Sequence, residues 1–145
     1  MYADYTFYTD EFFGTAIEEA DFPRLSSRAS DFIDYYTRGK AAGVTDEATL
    51  TALAKACCAI AEAIQADEQV KALAAKATAS ALASSGGEIK SETVGSWSQT
   101  YATASDYYKA GGAAMTARDT RAAYAEIARE YLTNTGLLYR GGCFQ

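Results

Sequence analysis

The sequence contains no histidine, which excludes any mechanism built on an imidazole base or an imidazole metal ligand. A single proline and 11 glycines in 145 residues fall well below the share typical of low-complexity linker proteins. Val and Ile, the residues that favour strands, are scarce at three and six, so a sheet-dominated fold is not expected. No run approaches the roughly 20 apolar residues that a membrane span needs. Met1-Tyr2-Ala3-Asp4-Tyr5 lacks the basic start and apolar run of a signal peptide, and the protein is expected to be made and kept in a cytoplasm. The cysteines, Cys57, Cys58 and Cys143, are odd in number and match no disulfide framework.

What is plentiful is alanine, at 31 residues, and alanine is the best helix former. Leu, Ile, Val and Phe total only 23, but 11 Tyr and one Trp add large surfaces to bury. The length suits one domain. These features predict a mainly α fold: a small helical bundle with a projecting extended loop or β-hairpin and flexible terminal arms.

Residues 1–20 read as a loosely structured, acidic and aromatic arm. Tyr2, Tyr5, Phe7, Tyr8, Phe12 and Phe13 sit among Asp4, Asp10 and Glu11, and an arm this aromatic is expected to lie against its own core or another subunit. Helices are expected over 21–84. Asp21 is a good N-cap and Pro23 follows where its missing N–H does no harm. Leu25, Ala29, Phe32, Ile33 and Tyr36 then recur on one face, and Gly39 and Gly43 bracket the exit. The next helix starts at Thr45 or Asp46. Its stripe is Leu50, Leu53, Ala54, Cys57, Ile60, Ala61 and Ile64, with Cys58 about 100° away. Near residue 67 the stripe slips to Val70, Leu73, Ala77 and Ala81, so the helix bends or breaks there, or its far half faces a different partner.

Ser84-Ser85-Gly86-Gly87 stops that helix. From Glu88 to Tyr101 short polar residues alternate with Ile89, Val94, Trp97 and Tyr101, and an extended arm or hairpin is expected, with Gly95 at a turn or bulge. The last helix is predicted over 114–132, its apolar face formed by Ala117, Tyr124, Ile127, Ala128 and Tyr131, with Arg121 in the same stripe. Glu126 and Arg129 are spaced as an exposed pair. Asn134 and Gly136 end it. The tail, 137–145, is glycine-rich but carries Leu137, Leu138, Tyr139 and Phe144.

Chemistry is hard to place on this chain. There is no Gly-x-Ser-x-Gly elbow and no Ser-x-x-Lys pair. Glu18-Glu19 and Asp67-Glu68 are sequence neighbours, which point different ways on a helix. Cys57-Cys58 lacks the spacing of zinc or thioredoxin sites, and the glycine pairs lack a P-loop lysine. No catalytic residue, metal or cofactor is expected. With Lys plus Arg at 13 against 19 acids and a net charge of −6, gripping duplex DNA is not expected either.

The stretch IKSETVGSWSQTY, residues 89–101, resembles a signature of head–tail connector (adaptor, or head-completion) proteins of tailed bacteriophages and prophages. The pattern I-x-S-E-x-V-G, an aromatic, then S-x-S/T-Y is met by Ile89, Ser91, Glu92, Val94, Gly95, Trp97, Ser98, Thr100 and Tyr101. Ser96 departs from it, since the position after the glycine is often acidic. Ala29, Phe32-Ile33-Asp34 and Thr37 look like the family's opening helix. The resemblance implies a virion protein at the head–tail junction, assembled in the bacterial cytoplasm. It implies a homo-oligomeric ring, commonly of twelve copies, under the portal protein, joined to a downstream tail or stopper protein, with double-stranded DNA passing through its channel without specific binding. Ile89, Glu92, Val94, Gly95, Trp97 and Tyr101 would contact a neighbouring subunit. Leu137, Leu138, Tyr139, Arg140 and Phe144 would reach the portal. A different class, a soluble acidic helical binding or regulatory module acting through a small protein complex, fits the same composition.

Overall fold

A computed structural model describes residues 1–85, 91–94, 97–100 and 117–139. The protein is mainly α, a small helical bundle. In chain order the elements are α1 (Tyr5–Asp10), α2 (Phe22–Thr37), a 3-10 turn (Lys40–Gly43), α3 (Glu47–Ser85), β1 (Ser91–Val94), β2 (Trp97–Thr100), α4 (Ala117–Leu132) and a second 3-10 turn (Thr133–Thr135). The chain divides into two compact units, Met1–Ala66 with Arg121–Gln145, and Asp67–Thr120. The boundary falls where the apolar stripe of α3 slips out of phase. The helix itself continues unbroken through that point.

In the first unit, Tyr8, Phe22, Leu25, Ile33, Leu53, Ile60 and Leu132 are fully buried and share one core with Ala29, Ala56, Ala61 and Ala128. Each large side chain taken from water contributes about 1.5–3 kcal/mol, and the alanines between them let the helices approach closely. Pro23 stands in the first turn of α2. Asp21 precedes that helix, but its backbone is already helical and its carboxylate caps no N–H; it lies 3.7 Å from Arg24 instead. The exit of α2 is a left-handed turn, Arg38 at φ 57° and Gly39 at φ 76°, whose N–H groups bond the carbonyls of Tyr35 and Asp34. Asp46 starts α3 by accepting the Thr49 N–H at 2.9 Å and its hydroxyl at 2.8 Å. These bonds hold its carboxyl below the usual carboxylate range.

Most of the α3 stripe is buried, from Leu53 to Ile64. Leu50 is not: it lies in the first turn and is 42% exposed. Cys58, one position off the stripe, is fully buried, and that burial, followed by the charges of Cys57, Glu62 and Asp4, raises its thiol. The core surrounds this part of α3 on more than one side. In the second unit, Val70 and Leu73 are exposed.

Residues 1–20 pack against their own core, one of the two placements expected of so aromatic an arm, and only the loose structure expected of them is corrected: the segment belongs to the bundle. Asp4 caps α1 by accepting the Phe7 N–H at 2.8 Å. Tyr5, Tyr8 and Phe12 follow at helical spacing, and Tyr8 stacks with Phe12 at 5.9 Å and meets Phe22 at 4.9 Å between ring centroids. Ala3 and Ile17 are buried as well. Six helical residues cannot sustain themselves in water; the packing of their aromatic face holds them.

Candidate assembly surfaces

The hairpin expected between Glu88 and Tyr101 corresponds to two paired strands. β1 and β2 run antiparallel, with Ser91 opposite Thr100, Glu92 opposite Gln99, Thr93 opposite Ser98 and Val94 opposite Trp97. The register thus matches hydroxyl-bearing positions with one another at 91/100 and 93/98, and places the two apolar positions, 94 and 97, side by side. A two-stranded ribbon by itself is at best marginally stable in water. Of the six residues expected in a subunit contact, Glu92, Val94 and Trp97 lie in these strands; Ile89, Gly95 and Tyr101 lie outside the described residues.

The start of the C-terminal tail is bracketed on the bundle. Leu137 and Leu138 pack, partly buried, against the core. The Lys40 ammonium donates to the Tyr139 carbonyl oxygen at 2.7 Å. Tyr36, Thr37, Arg38, Lys40, Leu137, Leu138 and Tyr139 line a cleft of about 240 Å³ there. Thr37 is held in it by donating its hydroxyl to the Ile33 carbonyl at 2.8 Å. The Tyr139 side chain remains 73% exposed. Three of the five expected portal-contact residues are therefore brought together, two serving the bundle and one facing solvent. Arg140 and Phe144 lie outside the described residues.

A partly buried polar network fixes the N-terminal segment. The Tyr8 hydroxyl donates to Glu62 Oε1 at 2.7 Å and accepts the N–H groups of Ala16 at 2.9 Å and Ile17 at 3.1 Å. Burial, then the bond to Glu62, raises its pKa. The Tyr2 hydroxyl donates to Asp34, and the Tyr2 N–H donates to the Ser30 hydroxyl at 3.1 Å. Ser26 donates to the Ala3 carbonyl at 2.8 Å, and both serines touch Cys57 Sγ at 3.5 Å. Cys57 and Cys58 are buried, free thiols. Burial first, then the Coulombic effect of Cys57, pushes the Cys58 thiol up to about 12.

Two further aromatics stand exposed, Phe13, expected only as one ring of the N-terminal arm, and Tyr35. Phe13 is 78% exposed and adopts φ 58°. Tyr35 is 72% exposed on α2. The only sequence signal for Phe13 was the glycine after it. Gly14 has to be glycine, because a Cβ there would lie 2.0 Å from the Tyr8 ring.

Among the described residues, no helix is long and apolar enough to cross a membrane, and no group of three or more His, Cys, Asp or Glu residues is placed to hold a metal ion. No known protein-family model, curated protein or solved structure matches the chain.

Proposed function

We propose that this chain is a structural, non-enzymatic subunit of a head–tail connector of a tailed bacteriophage or prophage, forming a ring on the portal protein. In the virion such a ring extends the DNA channel and joins the capsid to a downstream tail or stopper protein. The observation that carries the reading is the coincidence of motif and register: the IKSETVGSWSQTY segment contains a short antiparallel ribbon in which Val94 pairs with Trp97. A ribbon of this kind gains by adding a neighbour's backbone or by docking its aromatic into a pocket. The bracketing of Leu137 and Leu138 on the bundle favours the same reading, since residues beyond Tyr139 then start from a fixed point.

Trp97→Ala tests it. The far-UV helical signal should persist while ring formation or portal association weakens; unchanged sedimentation and unchanged portal binding would refute the role of the ribbon. Because Leu137 and Leu138 cover the core, the tail is best tested by removing residues 140–145 only. That truncation should keep the fold and lose portal attachment in a pull-down, and retained attachment counts against the tail contact. Light scattering with and without portal separates a ring from the small, defined complex of a soluble binding module.

A further inference from the structure

The chain doubles back on α1 at Phe13, and it does so under strain. Phe12 donates its N–H to the Phe7 carbonyl at 3.0 Å and Gly14 to the Tyr8 carbonyl at 2.9 Å. Between them Phe13 is held at φ 58°, a left-handed conformation in which helices usually end on glycine. Glycine comes one residue too late to ease it, because position 14 has its own need for glycine beneath the Tyr8 ring. The Phe13 ring, exposed to solvent, gains no burial that would offset the strain.

Every anchor that ties residues 1–12 to the bundle lies beyond that turn. The Tyr2 hydroxyl and N–H reach Asp34 and Ser30, and the Ala3 carbonyl accepts the Ser26 hydroxyl, all three partners on α2. The Tyr8 hydroxyl bonds Glu62 on α3 and the N–H groups of Ala16 and Ile17. The rings of Tyr5 and Tyr8 lie on Phe22 at 5.7 and 4.9 Å between centroids. Residues 14–66 thus supply a complete seat, and residues 1–12 of a second copy would find in it each of these bonds and ring contacts. What separates the two arrangements is the turn alone, closed in one and open in the other. A short hinge under strain favours the open form.

We infer that in the assembly residues 1–12 of each copy pack on α2 and α3 of a neighbouring copy, with Phe13 relaxed to negative φ. The inference rests on the reading of the protein as a self-assembling subunit and names the contact. The piece donated differs from the seat that receives it, so each copy gives to the next and takes from the one before, as a closed ring requires. One hinge residue adds only about 3.5 Å of reach, so the bodies that exchange are in direct contact, as ring neighbours are.

Cross-linking of the full chain, assembled alone or on a portal, tests the exchange. Tyr2→Cys with Asp34→Cys, in a Cys143→Ser background that leaves only the buried Cys57 and Cys58, is closed with a short bis-maleimide and run on a denaturing gel. Exchange gives a ladder of linked chains, and an equal mixture of light and heavy isotope-labelled copies gives light–heavy links by mass spectrometry. Phe13→Gly, at ease in the left-handed region, should weaken self-association about tenfold in sedimentation velocity at an unchanged far-UV spectrum. Phe13→Pro, whose ring fixes φ near −65°, cannot close the turn and should populate dimers or larger species where the wild type is monomeric. An assembly that shows internal links only, or Phe13→Gly that assembles as tightly as wild type, overturns the exchange but leaves the connector reading standing. A wild-type chain that stays monomeric alone and on a portal overturns both.

Discussion

Replacing Tyr8 with Phe removes one oxygen and three hydrogen bonds from the middle of the N-terminal network. The lost oxygen leaves the buried Ile17 N–H without its 3.1 Å acceptor, a penalty of about 1–3 kcal/mol. Glu62, half-buried, loses its 2.7 Å donor; a bond to a charged group is stronger, but water can reach this carboxylate, so about 1 kcal/mol is assigned to it. Ala16 is exposed, and its N–H turns to water at little cost. The sum is about 3 kcal/mol, with ring packing against Phe12 and Phe22 untouched. At this chain length that corresponds to a fall in Tm of roughly 10 °C. Urea titration followed by circular dichroism measures the loss, and hydrogen exchange at Ala16 and Ile17 locates it. A destabilisation under about 1 kcal/mol, or unchanged protection of those two amides, would refute the network as the anchor of residues 1–17.

Gly14→Ala should cost at least about 2 kcal/mol, because a methyl 2.0 Å from a fully buried ring forces Tyr8 to shift; a wild-type urea midpoint would show that the ring yields freely. Phe13→Gly should raise the stability of the bundle by about 1 kcal/mol, since relief of left-handed strain exceeds the added chain entropy, and calorimetry should show Tm rising by a few degrees. Cys58 sits at about 12 when folded against an ordinary value of 9.0, so the unfolded chain releases this proton first and stability falls as pH rises from 9 toward 12. Tyr2 and Tyr8, both raised, add to that fall above pH 10. Urea midpoints at pH 8 and 10.5 check the sign, and Cys58→Ala should flatten the slope. Neither Cys57 nor Cys58 should react with a thiol reagent at pH 8 until denaturant is added.

The longer helices were legible because their signals are local. The proline in the first turn of α2, the glycine at its exit, Asp46 at the start of α3 and the out-of-phase stripe at residue 67 each act within a few residues, and each corresponds to a boundary in the structure. The fixed structure of the N-terminal segment was not legible because the bonds that hold it join residues 32 and 54 positions apart, Tyr2 to Asp34 and Tyr8 to Glu62. Its clue was the 5, 8, 12 spacing of Tyr5, Tyr8 and Phe12, which is helical but too short to stand out from an aromatic-rich composition. Cys58 lies off the apolar stripe, and its burial, the default for the Cys57-Cys58 pair of small side chains, reflects the several neighbours around this part of α3. Phe13 shows how little composition reveals at a turn, where a left-handed residue between Phe12 and Gly14 decides which ring faces out.

The dependence of Tyr8 on Glu62 also sets an order of events at the ribosome. Glu62 is added 54 residues after Tyr8, which at about 5–20 residues per second is a delay of several seconds. Throughout that interval the Tyr8 hydroxyl lacks its acceptor and the six aromatic rings lack part of the α3 side of their core. The carboxylates interspersed among them, with no cation to neutralise them, are suited to keep nascent chains on one polysome from sticking to each other. Neutralising Asp10, Glu11, Glu18 and Glu19 together would then reduce the yield of soluble protein more than it reduces the melting temperature of the molecules that do mature.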